Sequence, residues 1–221
     1  MKIKSIVKSI LFCLFTAVAV SCGKERITVS GNQITEIRTT GPFKSVNVAG
    51  ASPVFISHGN DFKVELKGSD NLIAKFETKV VGDELLLKYR DVNVNNDDIH
   101  IYITMPGLTS VKTNGASSYE ISGDFADQEK FTAYTYGAGN ITFSGTLKAN
   151  KVEAEIEGSG NLNIEKILVK NAEFKISGSG NITTSVTDKL NAQISGSGNV
   201  YYFGNPHLTT AYSGSGRVIK K

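Results

Sequence analysis

The sequence predicts an all-β protein: a right-handed parallel β-solenoid of repeats of about 18–22 residues, preceded by a less regular β half with one short helix. Three observations predict it. A glycine corner recurs six times, led by Gly115, Gly137, Gly158, Gly178, Gly196 and Gly214, at spacings of 22, 21, 20, 18 and 18 residues. The corners are flanked by segments in which apolar residues occupy every second place, as in Val152-Glu-Ala-Glu-Ile156 and Ala172-Glu-Phe-Lys-Ile176. Composition also fits, with 22 glycines and 4 prolines in 221 residues and 40% hydrophobic residues, enough to bury a core.

The first 21 residues read as an export signal. Lys2, Lys4 and Lys8 form a basic leader, and an apolar run from Ile10 to Val20 follows, interrupted by Thr16. The run is short for a permanent membrane helix, which needs about 20 apolar residues. Ala19-Val-Ser-Cys22-Gly23 resembles a bacterial lipoprotein box, with Ala19 where leucine is common; Cys22 is then the lipidation site and the membrane a partner through that N-terminal lipid. The alternative is an ordinary signal cut near Ala19 or Ser21. Lys24-Glu25 is similar to surface-export signals of Bacteroidota lipoproteins, so an outer-membrane protein at the cell surface is expected, with the periplasmic face as the alternative. Residues 22–37 read as a polar tether.

The other cysteine, Cys13, lies inside the signal, so no disulfide framework is expected in the body. Without the three leader lysines, 21 basic residues balance 21 acidic ones. A neutral body gives no electrostatic reason to bind nucleic acid.

Residues 38–110 form the expected N-terminal β half. Strand candidates are 45–48, 54–57, 62–66, 85–89 and 100–104. Ser69 or Asp70 is placed to cap a short helix carrying Leu72, Ile73 and Phe76. Gly82-Asp83 reads as a turn, and Met105-Pro106-Gly107 hands over to the repeats of residues 111–221.

Within the repeats, Gly-Ser-Gly-Asn concentrates residues that tolerate positive φ. Periodicity alone fits either an antiparallel meander or a solenoid. The near-identical corners, the modest size of Ala154, Ala192 and Thr210 beside Phe174 at the mid-strand inward positions, and the settling of the period at 18 favour the solenoid. The predicted structural ladder then comprises Gly137, Gly139, Asn140, Gly158, Gly160, Asn161, Gly178, Gly180, Asn181, Gly196, Gly198, Asn199, Gly214 and Gly216. Each asparagine amide bonds the next, beside stacked serines. Arg217, Lys220 and Lys221 are expected to blunt edge-to-edge pairing at the last unit.

Phe43-Lys-Ser-Val-Asn-Val48, Gly82-Asp-Glu-Leu85, Ile103-Thr-Met-Pro106-Gly-Leu108 and the serial corners together resemble the putative auto-transporter adhesin, head GIN domain family, abundant in Bacteroidota. The likeness spans residues 38–221. It implies a secreted or lipid-anchored β-helical protein. Asn114-Gly-Ala-Ser-Ser118 and Arg217 depart from the corner pattern.

The catalytic candidates are sparse. His58, His100 and His207 are scattered and read as surface residues rather than bases. Asn93, Asn95, Asn96, Asp97 and Asp98 offer oxygens to calcium, but a solvated loop is the favoured reading, and no metal or cofactor is expected. Glu153, Glu155, Glu157 and Glu173 suggest glycosidic chemistry, against which stands charge balancing with Lys148, Lys151, Lys166, Lys170 and Lys175 on a wet face. The glycine corners precede strands, not helices, which excludes a phosphate loop. The expected function is a non-enzymatic envelope protein, an adhesin binding polysaccharide or another cell's surface. Its motivation is a face of Ser, Asn and Thr with Tyr119, Tyr134, Tyr136, Tyr201, Tyr202 and Tyr212. The alternatives are a carbohydrate-active enzyme and an envelope scaffold or assembly component.

Overall fold

The structure is a computed structural model that describes residues 25–221. Cys22, the lipidation candidate, lies outside the described residues. The first half carries β1 (Glu25–Thr28), β2 (Gln33–Arg38), β3 (Ser45–Gly50), β4 (Val54–His58), β5 (Lys63–Ser69), α1 (Asp70–Ile73), β6 (Phe76–Val81), β7 (Glu84–Tyr89), β8 (Val92–Asn95) and β9 (His100–Met105). The second carries β10 (Ser110–Gly115), β11 (Tyr119–Ser122), β12 (Gln128–Gly137), β13 (Ile141–Phe143), β14 (Leu147–Gly158), β15 (Leu162–Gly178), β16 (Ile182–Gly196), β17 (Val200–Phe203), β18 (His207–Ser213) and β19 (Val218–Lys220).

The second half is a parallel stack. On one side β10, β12, β14, the C-terminal part of β15, the C-terminal part of β16 and β18 pair parallel and in register. On the other side β11, β13, the N-terminal parts of β15 and β16, β17 and β19 do the same. The antiparallel meander is thereby excluded. The leading glycines fall opposite one another: Gly115 on Gly137, Gly137 on Gly158, Gly158 on Gly178, Gly178 on Gly196.

The stack begins earlier than the repeat suggests. β3 pairs parallel with β10 and sets Gly50 opposite Gly115; β4 pairs parallel with β11. Outside them, β7 and β9 add one further parallel layer. Gly50-Ala51-Ser52 repeats Gly115-Ala116-Ser117 letter for letter, a signal the six-corner reading passes over. Three antiparallel pairings close this end: β2 on β5, β5 on β9, and β6 on β7.

Two expectations are corrected here. The segment read as a tether is built into the fold from Glu25 onward: β1 pairs with β8, and β2 pairs with β5 over six residues. Its exposed, polar composition misled, because an edge strand buries little of its surface. The helix also stops sooner than its apolar pattern suggests. It ends at Ile73, and Phe76 opens β6, where it packs edge-on against Tyr89 at 4.9 Å.

Alternation drives the packing. Along β15, Leu162, Ile164, Ile167, Val169, Ala172, Phe174 and Ile176 are buried. One core runs from Phe43 to Tyr202. Ala154, Phe174 and Ala192 face it in register, while Thr210, next in that row, is exposed because no rung covers β18 among the described residues.

Candidate binding groove on the solenoid face

The corners explain their own composition. From Gly115 to Gly178 each leading glycine carbonyl accepts two N–H groups from the corner above, and Gly196 O accepts Gly216 N alone. Gly158 O takes Ser179 N at 2.9 Å and Gly180 N at 3.3 Å, and Gly178 O takes Ser197 N at 2.9 Å and Gly198 N at 3.1 Å. This nesting leaves no room for a side chain. At Gly178, φ is +138° and a Cβ would lie 2.2 Å from Gly158 O. At Gly180 a Cβ would lie 1.9 Å from Gly160 O.

The asparagines run beside this backbone column. Asn140 Oδ1 accepts from Asn161 N and Nδ2, Asn161 Oδ1 from Asn181 N and Nδ2, and Asn181 Oδ1 from Asn199 N and Nδ2. The two departing corners join it in their own way. Ser118 Oγ accepts from Asn140 N, and Arg217 N donates to Asn199 Oδ1 at 2.9 Å. Ser215 Oγ donates to Ser197 Oγ. This column is scaffold: its polar groups are consumed between rungs.

The outward face of β12, β14, β15, β16 and β18 is different. Register sets Tyr134, Glu155, Lys175, Gln193 and Ala211 in one row, and Thr132, Glu153, Glu173, Asn191 and Thr209 in the next. A groove of about 400 Å³ opens there, with Tyr134, Glu155, Lys175, Asn191, Gln193 and Thr209 on its walls.

Its acidic half is paired. Glu153 meets Lys130 at 2.6 Å and Lys151 at 2.7 Å; Lys151 also meets Glu173 at 2.8 Å, and Lys175 meets Glu155 at 2.6 Å. Hydrogen bonds from Lys130 and Lys151 hold the Glu153 carboxyl below the usual carboxylate range. Glu155 in turn raises the Lys175 ammonium. A glycosidic general acid needs the reverse, a carboxyl kept protonated. Asn191, Gln193 and Thr209 are exposed, and among the described residues their side chains make no hydrogen bond. Asn191 and Gln193 share β16, and Thr209 stands opposite Asn191 on β18, one rung or about 4.8 Å further on.

The tyrosines divide by what covers them. Tyr119 is 1% exposed, and its hydroxyl lies within hydrogen-bond reach of Val46 O on β3 and Lys112 O on β10. Tyr202 is also buried. Lys112 lies over the Tyr136 ring, Lys221 over Tyr201 and Arg217 over Tyr212. Burial, reinforced by the Glu155 and Glu157 charges, raises the Tyr136 hydroxyl. Among the six named residues, Tyr134 is the one that lines the groove. The aromatic face expected from sequence is therefore narrower than its tyrosine count.

The remaining candidates are separated. His58 packs edge-on to Phe125, His100 stacks over Phe55, and His207 opens β18. The Asn93–Asp98 stretch is not a solvated loop: β8 occupies its first half, and its aspartates are structural. Asp97 accepts from Ser52 Oγ, Tyr89 Oη and Ile99 N, while Asp98 accepts from Ser69 N, Ser69 Oγ and Gln33 Nε2. Asp70 accepts from Ser30 Oγ and Asn32 Nδ2, closing the turn between β1 and β2. The Asp70 clasp leaves no local signal in the sequence, because its two bonds span 40 and 38 residues. Among the described residues, no three His, Cys, Asp or Glu side chains gather as a metal site, and no helix is long and apolar enough to cross a membrane.

Three solved structures share this fold. A putative adhesin from Bacteroides fragilis aligns at TM-score 0.67 and 19% identity over 88% of this chain and 100% of its own. A putative lipid binding protein from Parabacteroides distasonis aligns at TM-score 0.74 and 19% identity over 89% and 100%. A putative adhesin from Parabacteroides merdae aligns at TM-score 0.59 and 18% identity over 89% and 99%. No curated protein matches the chain. The family model described as putative auto-transporter adhesin, head GIN domain, matches residues 42–206, and the chain belongs to that family.

Proposed function

We propose that this is a non-enzymatic, exported surface protein, held to the outer membrane by lipid on Cys22, that adheres to extended glycans through the groove on its β12–β18 face. One observation carries the reading. Tyr134 supplies an aromatic flank, and Asn191, Gln193 and Thr209 supply amide and hydroxyl groups left unused among the described residues. Sugars are bound by this combination of an aromatic surface and oriented hydrogen-bond groups. The rungs recur at about 4.8 Å, so a linear chain of sugars laid along the stack meets Tyr134, Gln193, Asn191 and Thr209 in succession. Family membership and two solved relatives described as putative adhesins support the surface role. The carbohydrate-active enzyme reading is disfavoured by the ionised, lysine-paired state of Glu153.

Two assays test this. Palmitate labelling of the wild type should be lost in Cys22→Ala. On a glycan array the protein should bind linear polysaccharides, and Gln193→Ala with Tyr134→Ala should abolish the signal without lowering the melting temperature. A uniformly silent array, or binding that survives both substitutions, would retire the groove.

A further inference from the structure

Every rung but the last is covered by a successor. Leu190, Ala192 and Ile194 of β16 are 0%, 1% and 2% exposed. Their register partners on β18 are Leu208, Thr210 and Tyr212, and nothing covers these among the described residues. Leu208 is 46% and Tyr212 44% exposed, although Arg217 lies over the tyrosine ring. Among the described residues β18 pairs with β16 alone, and β19 with β17 alone, so each has one edge of backbone N–H and C=O groups without a strand beside it. Such an edge is a template for another strand.

The sequence of β18 selects among occupants. His207-Leu-Thr-Thr-Ala-Tyr-Ser213 is nearly symmetric in character about Thr210. Pairing it antiparallel with its own copy, on a two-fold axis through Thr210, sets Leu208 against Tyr212, Thr209 against Ala211, and Thr210 against itself. The inward side chains stay inward, and the open end of one core closes on the other. A two-fold interface requires this self-complementarity. A parallel successor rung would need a corner strand like β16, and the other end of the molecule offers none, because β2, β5 and β6 close it with antiparallel pairs.

We propose that the β18–β19 end is a homodimerisation site, at which a second copy of this chain adds its own β18 antiparallel to complete the sheet. Arg217, Lys220 and Lys221, the charges expected to blunt this edge, oppose the pairing without abolishing it: they bring like charges to the junction from both copies, so association is weak at low ionic strength and tightens as salt screens them. The pairing also has a direction. β1 and β2 belong to the cap at the far end of the stack, so a tail-to-tail pair holds its two caps at opposite ends. If the surface-anchored reading is right, copies on facing membranes can meet through these ends, and the partner of this adhesin includes itself.

The test uses the full chain with Cys13→Ala and Cys22→Ala, which removes both native thiols. Sedimentation velocity should show a reversible monomer–dimer equilibrium that tightens with salt, and Thr210→Lys should weaken it at least about tenfold. Thr210→Cys should oxidise to a disulfide-linked dimer, because antiparallel partners stand about 4.5–5.5 Å apart at Cα, within disulfide reach. Leu208→Cys alone should cross-link poorly and do so efficiently when mixed with Tyr212→Cys. A monomer at every concentration and salt, or Leu208→Cys cross-linking alone as fast as Thr210→Cys, would overturn the proposal. A monomer that still binds glycans removes this site and leaves the groove; a dimer silent on the array does the opposite.

Discussion

Asn161 gives its side-chain amide to Asn140 at 3.0 Å, and its own backbone N–H goes to the same oxygen at 2.9 Å. One carbonyl thus fixes both the side chain and the main chain of the next corner. Asn161 then offers its Oδ1 to Asn181 in the same way. Removing one member breaks bonds on both sides. Asn161→Ala should lower stability by about 1–2 kcal/mol, since each exposed bond is worth about 1 kcal/mol net or less. Asn161→Asp keeps the acceptor but turns a carboxylate toward Asn140 Oδ1, and should also destabilise. Urea unfolding of the two variants checks this.

The backbone nesting predicts a sharper contrast. Gly180→Ala would place a methyl 1.9 Å from Gly160 O, against backbone that has nowhere to go. It should cost more than about 3 kcal/mol. Gly107→Ala meets nothing within 4 Å and needs no positive φ. It should change stability by less than about 0.5 kcal/mol. Thermal melts of both proteins, prepared side by side, provide the comparison.

Asp98 makes the N-terminal clasp acid-sensitive. Burial pushes its carboxyl up, but hydrogen bonds from the Ser69 backbone, the Ser69 hydroxyl and Gln33 outweigh burial and leave it below the ordinary range. Asp70 is lowered too, by Ser30, Asn32 and the Asn71 backbone. A depressed folded pKa contributes stability that is fully present above the unfolded value of about 3.9 and is lost as pH falls through the folded one. Hydrogen exchange of residues 25–38 should therefore accelerate below about pH 4 while the repeats stay protected. Asp98→Ala should produce the same local loosening at neutral pH.

Much of the architecture is legible because stacking imposes its period on the chain. Gly158, Gly178 and Gly196 must be glycines for a reason that acts at each rung, so the requirement recurs in the sequence. Gly50 obeys the same rule, but the 65 residues to Gly115 hide it among inserted antiparallel strands. β1 and β2 escape reading because their stability comes from partners far along the chain, β8 and β5, and little from burial of their own side chains. The functional face is harder still. Tyr136 and Tyr201 look like sugar platforms in a sequence, and only three-dimensional placement reveals Lys112 and Lys221 lying over their rings. Tyr119 matches the others in type, yet its ring is core and its hydroxyl is held between the β3 and β10 backbones.

The solenoid stands on parallel strands meeting in strict register, and cross-linking measures that directly. Ser177 and Ser195 stand opposite each other on β15 and β16, whereas Gln193 is two positions away on the same outward face. In a chain with Cys13→Ala and Cys22→Ala, the Ser177→Cys/Ser195→Cys pair should oxidise readily to an intramolecular disulfide, its Cα atoms about 4.8 Å apart. The Ser177→Cys/Gln193→Cys pair should stay reduced under the same conditions. Equal oxidation of both pairs, or oxidation of the second alone, would contradict the stacked solenoid.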